Sequence, residues 1–240
     1  MLETIFLHEI AGTAVLTLLG CGVVANVLLN KTNGNSSDGI VIFFGWGLAV
    51  FCAVYVAYDT GAHINPAVTL GLLVGPANEY APGIPINAMT TAAYFTAEVI
   101  GAWLGATICY LAYKKHYDAT ENASSILATF STAPAIPAYG WNLVTEIIGT
   151  FVLVFVIIMF GHTPSGLGPL AVALLVVSIG ASLGGPTGYA INPARDLGPR
   201  IAHALLPIKH KGTSNWSYAW VPILGPAIGS ILAGLAAYIY

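Results

Sequence analysis

Two short polar motifs interrupt an otherwise apolar chain of 240 residues. GAHINPA begins at Gly61 and GYAINPA at Gly188, so Asn65-Pro66-Ala67 and Asn192-Pro193-Ala194 sit in matching contexts. Asparagine followed by proline reads as a helix start. The amide oxygen caps the first free N–H groups, and proline at the first helical position loses no hydrogen bond. Each box therefore places a side-chain amide donor at the positive end of a helix dipole. Ahead of the boxes, Gly61, Ala62, His63 and Ile64, and Gly188, Ala190 and Ile191, are expected to run extended. Their carbonyls would form a ladder of acceptors, with glycine permitting unusual backbone angles. Arg195 directly follows the second box and adds a fixed positive charge. Such donors and acceptors can replace the lost hydration of a small polar solute. No Ser–His pair, metal-ligating cluster or phosphate-binding loop occurs at useful spacing, so no enzyme, cofactor or metal site is expected.

Glu9 and Glu146 are ionisable residues in apolar surroundings. Each is expected to accept hydrogen bonds from backbone N–H groups of the loop in its own half, the alternative being a proton relay. His63 is expected to brace its loop or line the pore mouth, and Asp196 to partner backbone N–H groups or Arg200. Glu98 is given a structural or vestibule role.

The elements that must hold these groups are membrane helices. The chain is 57% hydrophobic and 7% charged, against about 25% charged in a soluble domain, and its mean hydropathy is +0.80. Apolar runs at 5–29, 39–58, 87–113, 141–161, 166–183 and 218–238 approach the roughly 20 residues a spanning helix needs. They lack the alternation of a membrane β-barrel and are too long for its strands. An all-α membrane protein follows, with the lipid bilayer as its surroundings. The first run has no basic flank and is too long for a cleaved signal. The three cysteines fall inside spans, which argues for packing. A net charge of −3 gives no indication of a nucleic-acid partner.

The chain also repeats itself. TEIIGTFVLV from Thr145 echoes HEIAGTAVLT from His8, so Glu146 corresponds to Glu9 as Asn192 corresponds to Asn65. The two pairs differ a little in spacing, which loops of unequal length absorb. Three spans per half make the repeat inverted, so equivalent segments meet near the bilayer midplane. One domain over residues 1–240 is expected, with repeats at about 1–114 and 141–240 and a polar, Pro-containing linker at 115–140. The apolar stretches after the boxes, 67–74 and 194–206, are too short to span and read as half-helices entering from opposite faces.

With six spans, both Asn-Pro-Ala boxes and Glu-x-x-Gly-Thr in each half, the chain resembles the major intrinsic proteins, the aquaporin family. NPARDLGPR and VPILGP are similar to its glycerol facilitator branch. The resemblance implies a passive channel for small neutral solutes, most of all glycerol and water, with urea, dihydroxyacetone, hydrogen peroxide and neutral lactic acid as further candidates. Protons and ions would be excluded. A secondary transporter is the alternative, because inverted repeats and broken helices serve both. The resemblance also implies a selectivity filter of Trp46, Gly180, Tyr189 and Arg195, in which Gly180 leaves room for the solute. It further implies a homotetramer in the cell membrane with both termini cytoplasmic. Lys31, Lys114, Lys115, Lys209 and Lys211 all fall in loops on one face, which the positive-inside rule would make the cytoplasmic one. The family topology puts that face outside.

Overall fold

A computed structural model describes residues 1–162 and 165–240. Its helices are α1 (Leu2–Leu28), α2 (Gly39–Val56), α3 (Pro66–Val74), α4 (Ala88–Ala112), α5 (Lys114–Ala119), α6 (Ala123–Ala128), α7 (Tyr139–Phe160), α8 (Pro169–Leu183), α9 (Pro193–Leu205) and α10 (Val221–Ala236). Four of them, α1, α2, α4 and α7, are long and apolar enough by themselves to cross a membrane. The apolar helices α8 and α10 have 15 and 16 residues, shorter than the expected spans. Residues 215–220 approach α10 as a chain of turns, and 237–239 leave it the same way. The half-helices α3 and α9 have 9 and 13 residues.

Packing follows the repeat. α1 lies against α2 and α4, and α7 against α8 and α10. Within each half a glycine lets two helices cross closely. A Cβ on Gly101 of α4 would meet Ile10 O at 2.5 Å and Thr13 Cβ at 3.0 Å. One on Gly229 of α10 would overlap Ile147 O and meet Thr150 Cβ at 3.0 Å. Ile147 and Thr150 follow Glu146 at the same distances at which Ile10 and Thr13 follow Glu9. Each half-helix packs on the last long helix of the other half, α3 on α10 and α9 on α4. Small residues at such crossings let helix backbones approach where lipid offers no hydrophobic drive.

Two features differ from the sequence expectation. The segment 115–140 is not a plain linker, because it folds into α5 and α6. These helices have six residues each, too few to show a helical period, and they form through burial: Tyr117, Ile126 and Phe130 join Cys21, Ala25 and Tyr110 in one core cluster. A small antiparallel hairpin, β1 (Glu79–Ala81) with β2 (Ile84–Pro85), follows α3.

Candidate functional site

Each box forms the start of its half-helix as the cap chemistry requires. Asn65 Oδ1 accepts Ala67 N–H at 2.8 Å. Asn192 Oδ1 accepts Ala194 N–H at 3.0 Å and Arg195 N–H at 3.1 Å. The amide nitrogens then cross between halves: Asn65 Nδ2 donates to Ile191 C=O at 2.9 Å, and Asn192 Nδ2 to Ile64 C=O at 2.8 Å. A primary amide carries two N–H bonds. Each asparagine thus spends one on the opposite half and keeps one for the cavity that both line.

The segments before the boxes are not extended. Gly61, Ala62 and Ile64 have φ of 81°, 51° and 46°. Gly188, Tyr189 and Ile191, at the same places ahead of the second box, have 78°, 39° and 43°. Left-handed backbone costs a residue with a Cβ about 1–2 kcal/mol, so something must hold it there. The glutamates do. Glu9 accepts His63 N–H at 3.1 Å and Ile64 N–H at 2.7 Å, while Glu146 accepts Ala190 N–H at 3.0 Å and Ile191 N–H at 2.9 Å. Both carboxylates are buried. With these N–H groups committed and the Ile64 and Ile191 carbonyls taken by the asparagine amides, His63 and Ala190 have their carbonyl oxygens left to offer the cavity. Extended strand geometry would have required no such brace.

The cavity has a volume of about 430 Å³ and runs from Trp46, Tyr189 and Arg195, past Asn65 and Asn192, to Tyr58, Phe160 and Gly168. Gly61 to Ile64 and Tyr189 to Ile191 lie on its wall, together with apolar side chains such as Leu16, Val50, Val68, Leu153 and Val176. Gly188 and Gly180 do not line it. Glu9 and Glu146 sit behind the loops they brace.

At the lysine-bearing end the guanidinium carbon of Arg195 lies 4.1 Å from the Trp46 ring centroid, and Nη1 donates to Phe130 C=O at 3.1 Å. Both aromatic rings rest on glycines. A Cβ on Gly20 would overlap the Trp46 indole. One on Gly180 would come 2.9 Å from Tyr189 Cζ, and one on Gly184 2.7 Å from Tyr189 Cδ1. The space that Gly180 leaves is thus occupied by the phenol of Tyr189, which also meets Phe43 edge-on at 5.9 Å. The glycine acts as a seat for the ring and does not form the opening.

Behind each half-helix lies a buried polar network. In the first half His63 Nδ1 meets Thr69 Oγ1 at 2.8 Å, Thr69 donates to Glu98 Oε1 at 3.0 Å, and the imidazole stacks on Tyr94 at 4.2 Å. His63 is therefore braced as well as lining the cavity. In the second half Asp196 Oδ1 accepts Arg200 Nε at 2.8 Å, and Oδ2 accepts Thr132 N–H at 2.8 Å and its hydroxyl at 2.7 Å. Asp196 pairs with both kinds of partner expected of it.

Gly20, Gly184, Phe130 and Thr132 are not among the site residues expected from sequence. Gly20 carries a signal, since an isolated glycine inside an apolar helix is tolerated at about 1 kcal/mol against alanine and marks close approach, whereas Gly184, followed by Gly185 and Pro186 at the end of α8, reads only as a helix stop. A backbone carbonyl such as that of Phe130 carries none.

The pattern of the family described as Major intrinsic protein matches residues 3–238. A Streptococcus pneumoniae protein named glycerol uptake facilitator protein is 52% identical over 230 residues, 95% of either chain. A Thermotoga maritima protein named probable glycerol uptake facilitator protein is 51% identical over 232 residues, 95% of this chain and 96% of its own. Among solved structures, the aquaglyceroporin of Plasmodium falciparum superposes with a TM-score of 0.80 at 30% identity, covering 98% of this chain and 95% of that one.

Proposed function

The chain belongs to the major intrinsic protein family, and from that membership we propose that it is a passive membrane channel for glycerol and other small neutral solutes, water among them. The observation that carries the reading is the mixed lining of the cavity. It brings asparagine amides, loop backbone and Arg195 together with the apolar side chains of Leu16, Val50, Val68, Leu153 and Val176. A polyol has the matching faces, hydroxyls along one edge and carbon along the other. In this role Trp46 and Tyr189 pack against carbon while Arg195 binds hydroxyls, with Gly180 seating Tyr189. The asparagine N–H groups and loop carbonyls replace hydration as the solute moves. The N-terminal dipole ends of α3 and α9 and the charge of Arg195 oppose cations and interrupt a proton relay. Anions, which Arg195 alone would attract, are refused by the cost of desolvation in a narrow lane. The protein is not an enzyme.

The same reading assigns a homotetramer in the cell membrane, both termini cytoplasmic and the lysine-bearing loops outside. An impermeant thiol reagent on intact cells should then label a single cysteine introduced between Asn30 and Asp38 in a background lacking Cys21, Cys52 and Cys109. The functional test is glycerol and water flux measured side by side in proteoliposomes. Glycerol flux should exceed the lipid-only rate and show no ion coupling. Glycerol at the lipid rate, or accumulation driven by an ion gradient, would overturn the reading.

The seat beneath Tyr189 gives a sharper expectation. Gly180→His places an imidazole where the phenol now lies, and the ring is displaced into the lane. Glycerol is larger than water and needs the carbon face that Tyr189 supplies, so it should be hindered more. The glycerol-to-water permeability ratio is expected to fall about tenfold, equivalent to about 1.4 kcal/mol of differential barrier. A parent-like ratio in folded protein would show that the seat has no part in selectivity.

A further inference from the structure

Arg195 has no counterpart in the first half, where Val68 stands at the matching place after the first box. Its guanidinium is located by the Trp46 face and by the Phe130 carbonyl, and Phe130 belongs to the segment between the halves. On either side of Phe130, side-chain hydroxyls fix that segment at Thr132 and at Thr129. Thr132 donates its N–H and hydroxyl to Asp196 and accepts Arg200 Nη2 on its carbonyl at 3.0 Å. Asp196 and Arg200 lie on α9, the helix that carries Arg195, so this attachment moves with the arginine and cannot position it from outside. The second point is independent of α9. Thr129 Oγ1 donates to Ile126 C=O at 2.7 Å. With its single proton spent there, it must accept from the Tyr117 hydroxyl, 2.7 Å away. Tyr117 is on α5, is fully buried, and packs against the Phe130 ring at a centroid distance of 5.6 Å. Neither Tyr117 nor Thr129 lines the cavity.

We infer that Tyr117 and Thr129 are positioning residues for the filter: their paired hydroxyls set the Phe130 carbonyl and, through it, the guanidinium of Arg195. Solute selectivity thus depends on a latch in the inter-repeat segment, outside the lane. This inference rests on the reading of Arg195 as a filter group.

The chain contains two arginines, Arg195 and Arg200, so guanidino-¹⁵N-arginine labelling of the full protein in bilayers gives two guanidinium spin systems. Those of Arg195 are assigned by their loss in Arg195→Lys. In Thr129→Val, and equally in Tyr117→Phe, the Arg195 signals should shift while those of Arg200 stay. Thr129→Ser keeps the hydroxyl and should match the parent. The glycerol-to-water ratio should change by about threefold in both latch variants, the scale of one weakened neutral hydrogen bond, and recover in Thr129→Ser. Unmoved Arg195 signals in both latch variants would overturn the inference. So would moved signals with a parent ratio, and so would a fall in thermal stability alone, which would make the pair merely structural. A parent that fails to pass glycerol would sink the proposed function instead, while the arginine signals would still decide whether the latch exists.

Discussion

Glu146→Leu is expected to abolish conduction of glycerol and water together, leaving proteoliposomes at the lipid-only rate. The carboxylate supplies the acceptors for Ala190 N–H and Ile191 N–H. Each buried donor left unpaired costs about 1–3 kcal/mol. Tyr189 and Ile191 stay left-handed only while that anchor holds, and releasing them recovers about 1–2 kcal/mol each. Both changes push the loop out of its present shape. Two pore features go with it, because Tyr189 closes one end of the cavity and the Ile191 carbonyl holds Asn65. Glu146→Gln retains one acceptor oxygen and sets an amide N–H against the other donor, so it should conduct at an intermediate rate. Glu9→Leu should behave as Glu146→Leu does, since the geometry repeats. Parent-like flux through folded Glu146→Leu would show that the brace is dispensable.

Arg200→Met is expected to eliminate folded protein. All the N–H groups of this guanidinium reach oxygen: Asp196 Oδ1 from Nε and Nη2, Thr132 C=O from Nη2, and the Ser214 and Asn215 carbonyls from Nη1. Its side chain has no exposed surface, and that of Asp196 is 1% exposed. Methionine matches much of the volume and none of the bonds. Asp196 would remain a buried carboxylate held only by Thr132. Breaking a buried pair from one side costs about 3–5 kcal/mol, a large share of the roughly 5–15 kcal/mol that holds a typical domain together. Lysine is no substitute, because a point charge cannot reproduce a planar fork across four separate oxygens. Asp196→Asn combined with Arg200→Met should restore part of the yield, since it removes the stranded charge. Thermal unfolding of the detergent-solubilised protein measures this, and an unchanged midpoint in Arg200→Met would contradict it.

The elements legible in the sequence are those whose chemistry is local. A cap, a proline and a following apolar run specify where α3 and α9 begin without reference to anything distant. The two glutamates are legible because the repeat displays them twice. What escapes is set by contacts between remote segments. The left-handed turns at Ala62, Ile64, Tyr189 and Ile191 exist because carboxylates far along the chain hold them, and no propensity favours them. In sequence the glycine at 180 reads as an opening, because nothing in its neighbourhood shows that Tyr189 lies across it. Short helices α5 and α6 fold because Tyr117 and Ile126 find a core made by α1 and α4. The anchor of Arg195 is a main-chain oxygen, which has no residue type to recognise.

The crossed asparagine bonds also bear on how the chain is made. Asn65 takes its acceptor from a residue 126 positions later, and Asn192 gives the same bond back to Ile64. At about 5–20 residues per second of synthesis, the first box emerges roughly 6–25 s before its partner exists. During that interval the early half-helix has Glu9 to brace its loop but a free Asn65 amide and no α10 to pack on. It must wait, loosely held or shielded by water or the insertion machinery, until the second half arrives. The crossed bonds therefore cannot form before residue 192 has been made. A nascent chain stopped anywhere in the inter-repeat segment would contain a well-formed α1 and α4 and no channel.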